Sequence, residues 1–238
     1  MRSRGLACAA SSLLTGLFDD SARAPVRLTE VARTRASVHL ATGRDDVPVL
    51  CLCTPEAVRL PATVVVGALP SGRLTVRSGL VDDGTAAWRV TRWWQPPRPH
   101  GLVPPRFAPT PTAVLGDVRP LQLIGLGPGL TPAGDDVVAG ALVAAHATSD
   151  PRLTRWQEET RVALRARRTT AVSHGLLHHA VDGYATPELA AFVTGVCAGD
   201  AGQAAGDLLA VGHTSGPALA IGALHVLTTG PATVGRAA

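Results

Sequence analysis

Seven prolines fall within residues 95–112, QPPRPHGLVPPRFAPTPT. Proline fixes φ and has no N–H, so this stretch can form neither a helix interior nor a central strand. It splits the chain into two textures. Before it, ASVHLAT, VPVLCLC, ATVVVGAL, GRLTVRS and AAWRVTRWW are short apolar runs set off by turns such as Asp82-Asp83-Gly84-Thr85. Leu74 and Val76 alternate with Arg73, Thr75 and Arg77, the period of a half-buried strand. VRLTEVARTR, ahead of them, fits a first strand or a helical lead-in. After the prolines, LQLIG reads as one short strand. Helical patterns follow near 132–148, 151–167, 169–183, 187–198, 201–211 and 216–229. The fold class predicted is α+β: an N-terminal antiparallel β-rich sheet or small barrel and a C-terminal α-helical domain. The expected boundaries are 1–95 for a β-rich domain with a leading helix, 96–112 for the linker, and 113–238 for the helical domain.

The leading helix rests on Leu6, Ala9, Ala10, Leu13, Leu14 and Leu17, which trace one helical face. The same region resembles a secretory signal, but Ser11, Ser12 and Thr15 dilute it and Asp19-Asp20 follow. A cytoplasmic protein is expected. No run reaches the roughly 18 apolar residues of a membrane span.

Composition narrows the chemistry. All 22 basic residues are arginine. That excludes a Schiff-base lysine, a Walker lysine and a lysine general base. The net charge is +4 and the aromatic content 3%. With no basic run beyond Arg167-Arg168, nucleic acid is not an expected partner. Cys8, Cys51, Cys53 and Cys197 form no C-x-x-C pair, so no zinc cage is expected. His174 and His178 are spaced i,i+4 but have no acidic residue at metalloprotease spacing, so no metal ligand is assigned.

The chemistry concentrates in GLGPGLTPAGDD, residues 125–136. Thr131 and Pro132 have the order of an N-cap and a first helical residue. Asp135 and Asp136 then lie in the first turn of an apolar helix. Two carboxylates there can simply stabilise the helix dipole, by roughly 0.3–1 kcal/mol each. Burial of that helix would draw them inward, where an unpaired carboxylate is costly. Adjacent helical positions point about 100° apart, so one aspartate can meet a ligand while the other braces the loop. Gly125, Gly127, Gly129 and Gly134 allow close backbone approach to a ligand. A dinucleotide site is disfavoured, because Gly-x-Gly-x-Gly is not G-x-G-x-x-G.

VGHTSGPALAIGALHVL, residues 211–227, has the same grammar. With Gly216 set on Gly134, Gly222 falls on Gly140 and both segments read G-x5-G-A-L. Two helices crossing at Gly140 and Gly222 would set both N-termini beside one pocket. His213 stands in the second turn with Thr214 and Ser215, a place suited to a proton donor or an oxyanion contact.

The two motifs together resemble the domain-of-unknown-function family that includes AllH, a subunit of the anaerobic oxamate carbamoyltransferase of allantoin breakdown. SSLLTGL and RRTTAVSHGLLHHAVDG support the resemblance; VRLTEVARTRASVHL matches the family's N-terminal strand poorly. The resemblance implies site roles for Gly127, Gly129, Thr131, Gly134, Asp135 and Asp136. It implies the same for Arg168, Thr169, Thr170 and Ser173, and for His213, Ser215 and Gly216. It also implies a carbamoyl-, amide- or acyl-handling enzyme or subunit, with partner subunits or a homo-oligomer. Asp135, Asp136 and His213 are then the candidate catalytic groups. Gly127, Gly129, Thr131, Gly134, Arg168, Thr169, Ser215 and Gly216 are the candidate substrate contacts. No cofactor is assigned. Two other readings remain: a non-catalytic subunit of a complex, and a phosphate- or nucleotide-binding enzyme with Mg²⁺ on Asp135 and Asp136.

Overall fold

The computed structural model describes residues 5–105 and 119–229. Two compact units result. The first ends at Pro97 and the second begins at Arg98, with His174–Leu176 grouped with the first. Residues 106–112 of the proline-rich stretch lie outside the described residues.

The first unit holds nine strands: β1 (Leu6–Ser11), β2 (Val26–Arg27), β3 (Thr29–Arg33), β4 (Ser37–Ala41), β5 (Val49–Cys53), β6 (Thr63–Val65), β7 (Thr75–Arg77), β8 (Leu80–Asp82) and β9 (Ala87–Trp94). They form one sheet in the order β2-β7-β8-β9-β1-β6-β5-β4-β3. The two edge strands, β2 and β3, are separated in sequence only by Leu28. The edges must therefore approach one another, and the sheet curls into a nearly closed barrel. Its pairings are mixed: β1–β9 and β5–β6 are parallel, and the others antiparallel. One set of alternate residues fills the interior, among them Cys8, Ala10, Val38, Leu40, Leu50, Leu52, Val64, Val76 and Val81.

The expected leading helix is corrected at its start. Residues 6–11 are β1, set between β9 and β6 in the middle of the sheet. The helical spacing of the leucines crosses an element boundary. Only Thr15–Asp20 is α-helical, as α1, and Leu14, Leu17 and Phe18 enter the barrel core.

In the second unit, LQLIG is also corrected. Pro120–Leu123 forms a single helical turn, α2, with proline at its start. A short apolar run cannot be assigned by periodicity alone. The remaining helices are α3 (Ala133–Thr148), α4 (Leu153–Arg165), α5 (Ala171–Ala180), α6 (Pro187–Ala198), α7 (Gly202–Leu209) and α8 (Ser215–Thr228). They match the expected stretches. Thr170 caps α5 by accepting from Ser173 N–H at 3.1 Å, and Thr186 caps α6 by accepting from Leu189 N–H at 3.3 Å.

The helices α3 and α8 cross closely and reciprocally. A Cβ on Gly140 would lie 2.1 Å from Leu219 O, and one on Gly222 would lie 1.9 Å from Val137 O. Position 219 stands to Gly222 as 137 stands to Gly140, so the crossing has local twofold character. Only the lack of side chains at both points lets the backbones meet.

Candidate functional site

The Gly-rich loop joins α2 to α3. Gly125, Gly127 and Gly129 have φ of 86°, 113° and 100°, conformations that side-chain-bearing residues rarely adopt. Gly134 packs against Leu123 O, and Gly216, at the corresponding place in α8, packs against Leu208 O. Helix α3 begins one residue later than the sequence order implies. Pro132 is its N-cap, and no side chain caps it. Thr131 instead turns to the second motif, with its hydroxyl 2.9 Å from that of Ser215. The two loops are thereby tied at their helix entries.

Both aspartates are buried, at 0% and 1% exposure. Their side chains diverge, as adjacent helical positions require. Asp135 is spent on the loop. Its Oδ1 accepts the Gly125 N–H at 2.8 Å, and its Oδ2 accepts the Thr169 hydroxyl. Asp136 turns toward Ser215 and Thr131, whose hydroxyls favour its charged form. Burial works against that, with help from the neighbouring Asp135 charge. The net result pushes the Asp136 carboxyl up to about 6. Among the described residues nothing hydrogen-bonds its Oδ2.

The Arg-Thr-Thr segment braces the loop from the other side. The Arg168 carbonyl abuts Gly125, and its Nη1 donates to Leu121 O at 2.6 Å. Thr170 donates to Leu130 O besides capping α5. Ser173 is fully buried at the start of α5.

An open cleft of about 520 Å³ lies beside these groups. Both loops line it, Leu126 and Gly127 from the first and His213 and Thr214 from the second. Gly134, Val137, Pro217 and Ile221 complete much of the wall. His213 is exposed. Asp135, Asp136 and Gly129 are not among the lining residues. Val137, Pro217 and Ile221 were not singled out in the sequence. Apolar residues in apolar helices carry no signal of their own, and only their nearness to the glycines could have marked them.

The early N–H groups of α3 are largely occupied within the chain. Gly134 N–H donates to Leu126 O, and those of Asp135 and Asp136 donate to Pro132 O. The site is thus no open anion nest at that helix. It offers one unsatisfied carboxylate oxygen, two hydroxyls and two converging helix dipoles.

Residues 123–227 match the family model described as oxamate carbamoyltransferase subunit AllH. This segment is similar to the AllH family. The AllH match takes in the Gly-rich loop, α3 to α7 and nearly all of α8, and it leaves the barrel outside. No solved structure matches the chain. Among the described residues, no three His, Cys, Asp or Glu side chains gather as a metal cage. No helix there is long and apolar enough to cross a membrane.

Proposed function

We propose that the chain handles a carbamoyl or amide group where α3 and α8 meet, as an enzyme or as one subunit of an enzyme of the oxamate carbamoyltransferase type. The observation that carries this reading is Asp136: a carboxylate at 1% exposure with Oδ2 unpartnered among the described residues. A buried polar atom normally has a partner, and a carboxylate oxygen can only accept. The missing partner is therefore a donor, and the NH2 of a carbamoyl group supplies one without adding negative charge. The carbonyl oxygen of the same group is favoured by the positive ends of the α3 and α8 dipoles. A bare phosphate would meet an acid instead.

In this reading Asp136 binds the NH2 and exchanges a proton near neutral pH. Asp135, held by Gly125 and Thr169, positions the loop. His213, at the cleft, assists proton transfer, and Arg168 contributes positive charge beside the loop. The family description names a subunit, so partner chains belong to the proposal.

Calorimetric titration with carbamoyl phosphate and with oxamate tests it. Wild-type chain should bind one of them, and Asp136→Asn should weaken that binding at least tenfold while remaining folded. Binding should survive a chelator. Equal affinity in the variant, or no binding by the wild type, would overturn the reading. Loss of binding on chelation would transfer the aspartates to Mg²⁺.

A further inference from the structure

Three features of Ser215 go beyond the binding role just proposed. It is the first residue of α8, where the positive end of a 14-residue helix lowers the cost of charge on its oxygen. Its neighbours Thr214 and Pro217 line the cleft, while Ser215 itself is half-buried. Its hydroxyl lies 2.9 Å from Thr131 Oγ1, and both hydroxyls favour the charged form of the Asp136 carboxyl. Asp136 Oδ2 is itself without a hydrogen-bond partner among the described residues. A serine hydroxyl near a buried carboxylate, at a helix N-terminus and beside a cleft, has the parts of an activated nucleophile.

We infer that Ser215 is the group that takes the carbamoyl carbon, with Asp136 as its base. This rests on the carbamoyl reading above. The Ser215 oxygen attacks the carbonyl carbon as its proton passes to Asp136. The bond from that carbon to the leaving group breaks, and the leaving group departs with the electron pair, as phosphate leaves carbamoyl phosphate. The product is a carbamate ester on Ser215 and a protonated Asp136. A second nucleophile, an amine or water, then attacks the ester carbon. The Ser215 oxygen leaves and recovers its proton from Asp136, and the proton of the incoming nucleophile goes to solvent. Nothing is oxidised or reduced. Asp136 is suited to both halves, because its carboxyl titrates at about 6 and its burial keeps competing water away. Thr131 holds the serine hydroxyl in line and is a positioning residue.

The chain contains no lysine, so stray carbamoylation of side-chain amines does not obscure the result. The full-length chain is incubated with carbamoyl phosphate, quenched in acid and mapped by peptide mass spectrometry. The expected result is a single carbamoyl group on Ser215, absent from Ser215→Ala and formed at least tenfold more slowly in Asp136→Asn. Thr131→Val should slow ester formation without abolishing carbamoyl phosphate binding. An unmodified Ser215 in wild-type chain overturns the inference. If that chain still binds carbamoyl phosphate calorimetrically and Asp136→Asn does not, only the nucleophile falls. If wild type neither binds nor is modified, the carbamoyl reading falls with it.

Discussion

Asp135 and Asp136 are adjacent and both buried, yet their surroundings differ. Asp135 has protein partners at both oxygens, whereas Asp136 keeps one oxygen open. This sets a pH dependence. The folded-state value of Asp136, about 6, lies above the ordinary 3.8. A carboxyl raised on folding stabilises the fold below its unfolded value, and that contribution is lost as pH rises through the folded value. Asp136→Asn removes the titration. Relative to wild type, the variant should gain stability between about pH 4 and pH 7, by up to about 3 kcal/mol. Urea unfolding at several pH values measures this; a pH-independent difference would contradict it. The division of labour was partly legible in the sequence. The 100° step separates the two side chains, but which one faces Thr169 depends on the segment entering α5, which lies more than thirty residues further along.

At the scale of elements, the α3–α8 crossing depends on two missing side chains. The atoms that a Cβ would strike at Gly140 and Gly222 are backbone oxygens, which cannot swing aside. Gly140→Ala and Gly222→Ala should each cost at least about 2 kcal/mol, in the range of core overpacking. Gly206, in α7, has open space within 4 Å of where its Cβ would stand. Gly206→Ala should therefore be neutral or stabilise by up to about 1 kcal/mol. Thermal melts of the three variants decide this, and a harmless Gly140→Ala would refute the close crossing. The shared G-x5-G-A-L pattern makes this contact readable from sequence, because close packing leaves glycine at fixed spacing. The strand β1 was not readable. LACAAS is built of small residues with weak strand preference, and it is a strand because β9 and β6 flank it. Helix α2 was missed because four residues cannot display a period.

At the scale of the whole molecule, the change from strand to helix falls between Trp94 and Pro120, and the proline density announces it. Barrel closure was legible only as one of two forms, since the sequence does not show that β2 and β3 become the two edges. No disulfide joins the cysteines: all four are free, with Cys8, Cys51 and Cys53 buried and Cys197 partly exposed. Reductant should leave the melting temperature unchanged. In the native state a thiol reagent should modify Cys197 first and the other three only on unfolding; fast labelling of several thiols would contradict the packing. The central claim is that the two glycine-entered helices converge on one ligand site with Asp136 at its base. A crystal structure of the chain with a bound carbamoyl compound tests it most directly. The account predicts the ligand NH2 within hydrogen-bond distance of Asp136 Oδ2, between the 125–136 loop and the start of α8. A ligand bound elsewhere, with Asp136 Oδ2 satisfied by the protein itself, would contradict it.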